Sequence, residues 1–509
     1  MAAVPLMVQG TMSGVGKSLI VAGLCRVFAQ DGYRAAPFKA QNMALNSALT
    51  ADGLEMGRAQ VMQAEAAGIE PEAAMNPVLL KPTSDVGSQV IVKGRLIGTM
   101  TAREYFACKA SLVPQIMESY RNLAERFDIV VIEGAGSPAE INLKADDIVN
   151  MGMAARANAP VLLVGDIDRG GVFAQLVGTL MLLEPEERAR VKATVVNKFR
   201  GDAAILEPGL DQLRALMGVP VAGVVPYASL DIDDEDSLSE RFCSKDARAV
   251  IDIAVVRLPR VSNATDFAAL DAVEGVGVRF VSRPRDLGEP DLIVLPGTKN
   301  TIDDLRWLRE NGLEAGVLKR ASAGTPVLGV CGGYQMLGRS VIDDEGAEGG
   351  GAIAGLGLLP VETCFSQIKR QVRSRGNVAA VEGLLAGLTG TPIEGYEIHL
   401  GETKRLGGRP FALLCPQGGE LGTGEGDVRI EDGCQQGNVY GTYLHGLFDR
   451  VECAQALVSA LLAARGLDPA ALAAHDMAAY RQEQYDKLAD IVRRGLDMDL
   501  VYRIVRAGA

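Results

Sequence analysis

Two stretches of this chain place residues in an order that chemistry uses. Gly10-Thr11-Met12-Ser13-Gly14-Val15-Gly16-Lys17-Ser18 follows a short apolar run, Val4 to Val8, and leads into a helical pattern from Leu19 to Ala29. A strand feeding a glycine loop and a helix N-terminus is a phosphate cradle, because the loop N–H groups and the helix dipole face one anion. Lys17 then reaches the outer phosphates and the Ser18 hydroxyl is placed to ligate magnesium, with Thr11, Gly14 and Gly16 shaping the ATP site. Five residues separate Gly10 from Gly16, one more than in the ordinary loop. The second stretch is Pro326-Val327-Leu328-Gly329-Val330-Cys331-Gly332-Gly333-Tyr334-Gln335. A strand breaking at a cysteine between glycines, with a helix beyond, is a nucleophile elbow carrying sulfur. The turn exposes the thiol, the helix N-terminus favours its thiolate, and the N–H groups of Gly332 and of the Gly297 loop form an oxyanion site.

A cysteine nucleophile needs a base, and the chain has 3 histidines. His445, at the end of the strand-like run Gly441-Thr442-Tyr443-Leu444, is the expected catalytic base. His399, in Gly395-Tyr396-Glu397-Ile398-His399, is the runner-up and a candidate for shaping the substrate pocket. His475 sits in an alanine-rich helical tail and reads as surface.

Other polar residues gather at strand ends. Asp128 to Glu133 is an apolar strand ending in a carboxylate and then Gly134-Ala135-Gly136, where a phosphate-loop enzyme places its second magnesium-ordering acid. A helix-capping or solvated Glu133 is the alternative. Glu140 is a weaker substrate-side candidate at the same mouth. Phe38 to Ser47 closes a second strand and offers Lys39, Asn42 and Asn46 as contacts to substrate or γ-phosphate. Glu55, opening a helical pattern that ends at Gly68, is a third metal-ligand candidate. Asn197-Lys198 ends a further strand. Such a pair reads a purine base or forms an ordinary turn.

These residues need a scaffold that brings strand ends together. Strands and helices alternate through Val225, which predicts a parallel sheet covered on both faces. An acidic run, Ser229 to Ser239, then reads as a solvated linker. Alternation restarts with Ile251 to Leu258, Val276 to Ser282 and Leu292 to Thr298. The expected architecture is α/β, with two doubly wound, mainly parallel-sheet domains. An ATP-binding domain spans 1–230, a linker 231–250, a second domain carrying the Cys331 elbow 251–450 and a helical tail 451–509.

The totals set outer bounds. With 509 residues, 48% hydrophobic and 23% charged, the chain has the composition of a globular protein of several domains. A net charge of −13, with no basic tract, argues against nucleic-acid binding. The 8 cysteines form no Cys-x-x-Cys pair, which points to a reducing compartment rather than a disulfide or zinc framework. No apolar run approaches bilayer length and no leader pattern precedes the first loop, so the expectation is a cytoplasmic protein.

The long loop with its Val-Gly-Lys-Ser end resembles that of dethiobiotin synthetase, and the Cys331 elbow with His445 resembles a class I glutamine amidotransferase. The usual third triad member of that family, a glutamate two residues after the histidine, is replaced here by Leu447. That departure is shared by the corrinoid amidases, which join the two halves in one chain. The segments Phe38–Ser47, Asn76–Gln89 and Glu133–Leu143 resemble the cobyric acid synthase branch of that family. The resemblance implies an ATP- and magnesium-dependent, glutamine-hydrolysing amide ligase that amidates the b, d, e and g carboxylates of adenosylcobyrinic a,c-diamide, with small-molecule substrates and no nucleic-acid or membrane partner. A synthase for the a,c-diamide, or a partitioning ATPase with a retired glutaminase fold, are the competing readings.

Overall fold

In the computed structural model the described residues are 3–83, 87–232, 249–417 and 429–509. Most of the expected acidic linker, and Ser84-Asp85-Val86 of the Asn76–Gln89 segment, lie outside them.

Val4–Gly10 (β1), Ala35–Phe38 (β2), Ile129–Glu133 (β3), Val161–Asp166 (β4), Val191–Phe199 (β5) and Val221–Pro226 (β6) are apolar and largely buried, as strands covered on both faces must be. All pair in parallel, in the order β6-β5-β4-β1-β3-β2. The register sets Val8 beside Glu133, Gly10 beside Val164 and Asp166 beside Asn197. The glycine loop, Glu133 and Asn197 therefore leave the sheet at one carboxyl edge, where open α/β sheets bind ligands.

A smaller four-stranded sheet (Gln41–Met43, Val78–Pro82, Gly87–Val92 and Arg95–Thr101) flanks that edge. Beside it, Ser47–Leu49 pairs antiparallel with Glu55–Gly57. Glu55 thus lies in a strand, not at the start of a helix as its spacing suggested. Pairing with Ser47–Leu49 overrides the local pattern, and the helix begins only at Arg58.

The second half repeats the plan. Ile251–Val256 (β7), Val276–Val281 (β8), Leu292–Leu295 (β9), Val327–Val330 (β10), Cys434–Gln436 (β11) and Val439–Thr442 (β12) assemble as β8-β7-β9-β10-β12-β11. Only the β11–β12 edge hairpin is antiparallel. Leu295 pairs with Gly329 and Val330 with Thr442, so the Gly297 loop, Cys331 and His445 emerge side by side. A further sheet, built on the long antiparallel pair Val361–Val378 and Pro392–Arg405, was not expected from the alternation pattern. Its strands are polar and half-exposed, so they carry no apolar run to find.

The residues after 450 do not form one tail. Val451–Ala464 packs into the core of the second half through Cys453, Leu457 and Leu461. Met477–Gly495 and Met498–Ala507 return to the first, where Tyr485, Leu488, Val492 and Val501 complete the core over one face of its sheet. Ion pairs Arg26–Asp486 and Arg493–Asp31 rim that contact. No helix among the described residues is long and apolar enough to cross a membrane.

Candidate active site

Strand β10 ends at a sharp turn in which Cys331 has φ 51° and ψ −111°, a backbone region that non-glycine residues adopt rarely. The turn closes only because its neighbours lack side chains. A Cβ at Gly333 would lie 1.9 Å from the Leu295 carbonyl oxygen, and one at Gly332 would lie 2.7 Å from Thr298 Cγ2 and 3.1 Å from the Thr298 nitrogen. This packs the Gly297–Thr298 loop against the start of the elbow helix, with Gly297 itself facing His445. Of the two proposed oxyanion glycines, Gly332 directly follows the thiol residue and Gly297 borders His445.

His445 is buried, and its ionisation is coupled to the Cys331 sulfur. Its Nδ1 lies 2.7 Å from Asp266 Oδ2, and Gly446 N donates to Asp266 Oδ1 at 3.0 Å. Asp266 supplies the carboxylate that the sequence lacked at Leu447, whose side chain is simply buried in the core. It comes from the short turn Ala264–Phe267 after β7, far upstream in the chain. Burial works against charge on His445. The Asp266 carboxylate and the Cys331 sulfur outweigh it and push the His445 pKa up to about 10. At neutral pH an imidazolium therefore faces the sulfur. The elbow helix has only 6 residues, so this imidazolium is the main local cation.

His399 is placed differently. Its Nδ1 sits 2.6 Å from the Gly401 carbonyl oxygen and its ring stacks 3.7 Å from that of Tyr443. The neighbouring Ile398 carbonyl faces Cys331 Sγ at 3.8 Å, so His399 borders the pocket without reaching the thiol as base. His475 is exposed, in the connection before Met477 rather than in a helix.

At the other site, Gly14 and Gly16 hold φ of 73° and 88°, the left-handed region that the loop requires. Helix Lys17–Gln30 starts without a side-chain cap. Lys17 Nζ contacts the Met12 and Gly136 carbonyls, and Thr11 Oγ1 bonds Gln175. Asn197, expected at the base, donates one amide N–H to the Val15 carbonyl at 2.7 Å, and Lys198 ties the Gly14 carbonyl to Asp166. The pair braces the loop from beneath.

Glu133 is the hub of this site. Ser18 Oγ donates to its Oε1 at 2.9 Å, Lys39 Nζ pairs with the same oxygen at 2.8 Å, and Gln63 bonds Oε2. Asn42 joins through Gln60, whose own amide lies 3.4 Å from Glu133. These oxygens suit magnesium, which takes one or two carboxylates and completes its shell with phosphates and water. The buried Gln63 Oε1, without a partner, is a ready acceptor for such a water. Among the described residues no three His, Cys, Asp or Glu side chains cluster as a separate metal site.

Two expected contacts move elsewhere. Glu55 is fully buried, and its oxygens are taken by Ser47 and Lys81 on one side and by Lys369 and Gln371 on the other. Burial opposes its charge, but Lys369, Lys81 and Lys299 hold its carboxyl well below the usual range. It is therefore an ion-pair centre between the halves, not a magnesium ligand. Asn46, expected at substrate, is 2% exposed and accepts from Ala264 N at 3.3 Å in the second half. Glu140 is exposed beside a cavity of about 540 Å³ that also borders Ser13 and Gly136. Met43, Tyr105, Phe106 and Leu143 give that cavity an apolar wall.

Comparison with known proteins finds a family match for each half. Residues 6–238 match the CobQ/CobB/MinD/ParA nucleotide binding domain, and residues 252–453 match the CobB/CobQ-like glutamine amidotransferase domain. A cobyric acid synthase of Lachnoclostridium phytofermentans is 55% identical, over 99% of this chain and 99% of its own. That of Ruminiclostridium cellulolyticum is 54% identical over 99% of this chain and 97% of its own. That of Photorhabdus laumondii is 51% identical, covering 98% of each.

Proposed function

The chain belongs to the cobyric acid synthase family, and from that premise we propose an ATP-dependent, glutamine-hydrolysing amide ligase of cobalamin biosynthesis. Its substrate in this reading is adenosylcobyrinic a,c-diamide, amidated at the b, d, e and g carboxylates. The observation that carries it is the coexistence in one chain of a Cys331–His445–Asp266 triad and a phosphate loop facing Glu133. A retired glutaminase fold would have no need of that buried charge relay. The names of the full-length relatives favour cobyric acid synthesis over the a,c-diamide alternative.

Carboxylates do not condense with ammonia unaided, since oxide is a poor leaving group. In the synthetase half, a corrinoid carboxylate oxygen attacks the γ-phosphorus of ATP and ADP leaves, giving an acyl phosphate. Lys17 and the loop N–H groups hold the phosphates in line, and Ser18 and Glu133 would hold magnesium, which neutralises the transferring charge when bound. The apolar cavity beside Gly136 suits the corrin face, with Glu140 at its rim.

In the glutaminase half, the sulfur attacks the glutamine amide carbon while Gly332 and the Gly297 loop hold the oxyanion. His445 gives its proton to the departing nitrogen, releasing ammonia and leaving a thioester. It then takes a proton from the water that frees glutamate. Ammonia attacks the acyl phosphate, and phosphate departs. The soluble substrates, and the free cysteines among the described residues, fit a cytoplasmic location. Incubation with ATP, magnesium, glutamine and the a,c-diamide tests the reading by mass spectrometry. Four successive amidations support it, and no mass change overturns it.

A further inference from the structure

The two halves meet at the back of the glutaminase triad. Ser47 N donates to Asn263 Oδ1 at 3.1 Å, and Ala264 N donates to Asn46 Oδ1 at 3.3 Å. These reciprocal bonds grip the first residues of the turn that carries Asp266. Asn263 opens the turn with φ 54°, the left-handed region that asparagine tolerates better than other side-chain-bearing residues. The same corner holds His445 from the opposite side. Tyr396 OH donates to the Ser47 carbonyl at 3.0 Å, while the Tyr396 backbone exchanges both hydrogen bonds with His445, at 2.9 and 3.1 Å. The two rings stack with centroids 5.5 Å apart. Ser47 Oγ is fixed in turn by Glu55 and Lys81.

We propose that the Asn46–Ser47 corner of the synthetase half is a positioning element of the glutaminase triad, holding Asp266 and His445 in register from across the domain boundary. Neither residue touches the reacting atoms. Their effect passes through the Asn263–Asp266 turn and through Tyr396. Catalysis is steep in such alignment, because a displaced base loses its line to the nucleophile. The corner also continues into the hairpin that precedes Arg58–Ala66, the helix whose Gln60 and Gln63 bond Glu133. One covalent stretch thus touches both catalytic centres. The inference rests on the glutaminase reading, and wild-type release of glutamate from glutamine is the control that separates the two.

The test uses the full chain carrying Asn46→Ala or Tyr396→Phe, with glutamine or ammonium chloride as nitrogen source. Each change removes a hydrogen bond whose loss is worth about fivefold to tenfold. The expected result is that factor in kcat for glutamine hydrolysis, with KM for glutamine and the ammonium-dependent amidation rate unchanged. Unchanged glutamine kcat overturns the proposal, as does an equal loss with both donors, which would assign Asn46 to the synthetase reaction or to general stability. If Asn46→Ala fails to fold, Tyr396→Phe decides, since it deletes one oxygen and keeps the ring.

Discussion

Replacing Asp266 by asparagine keeps the side-chain shape and removes the charge. Against burial, the Asp266 carboxylate and the Cys331 sulfur push the His445 pKa up to about 10 from the ordinary imidazole value near 6.5. At ~1.36 kcal/mol per pH unit that gap corresponds to ~4–5 kcal/mol, shared between Asp266 and the Cys331 sulfur and already reduced by burial. An asparagine also invites the wrong imidazole tautomer, a change that costs about 10⁴ in the comparable serine-protease triad. Asp266→Asn should therefore lower glutaminase kcat by about 10³, measured as glutamate release, while ammonium-dependent amidation stays within twofold. The pH profile gives a second reading. A raised histidine pKa supplies stability and imidazolium below about 6.5, lost as pH rises through about 10. Without Asp266 the imidazolium discharges earlier, so the alkaline limb of the glutamine kcat/KM profile should move down by at least one pH unit. Glutaminase activity within threefold of the parent, or an unmoved alkaline limb, would refute the assignment of Asp266.

Glu133→Gln removes the carboxylate that accepts from Ser18 Oγ. The magnesium concentration for half-maximal amidation should rise at least tenfold, with glutamine hydrolysis unaffected, and an unchanged titration would move the role to another acid. Lys17→Ala should abolish amidation from either donor, and retained product at the parental rate would discredit the phosphate loop. Glu55→Gln leaves Lys81 and Lys369 buried without their anion, which typically costs ~3–5 kcal/mol; the urea midpoint should fall accordingly at pH 7. Because the Glu55 carboxyl is held below its usual range, that contribution is present above the ordinary carboxylate pKa and lost as pH falls through the lower value. The two unfolding curves should then converge only in strong acid.

Local chemistry was legible in the sequence. The phosphate loop, Glu133 and the Cys331 elbow are each written within one strand–turn–helix unit, so spacing alone located them. Asp266 was not, because its link to His445 spans 179 positions and the turn that bears it has no distinguishing pattern. A carboxylate following β7 at the same sheet edge was the only available hint. Glu55 misled for the converse reason. A lone acid near a phosphate loop suggests a metal ligand, but its lysine partners arrive from residues 81 and 369. The polar strands Val361–Val378 and Pro392–Arg405 escaped notice because half-exposed pairs need no apolar period. The last two helices read as an appendage, although their buried faces belong to the core of the first sheet.

The central claim is that one chain carries two separable chemistries, and Cys331→Ser tests it most directly. A hydroxyl is a far weaker nucleophile than the thiolate near neutral pH, so glutamine-dependent amidation should collapse. The phosphate-loop half does not use that sulfur. Given ATP, magnesium and ammonium chloride, the variant should amidate the corrinoid at the parental ammonium-dependent rate, faster as pH rises and more ammonia is free. Product formed from ammonium alone is the predicted result. Glutamine use that survives the substitution, or no amide from either donor, would contradict the account.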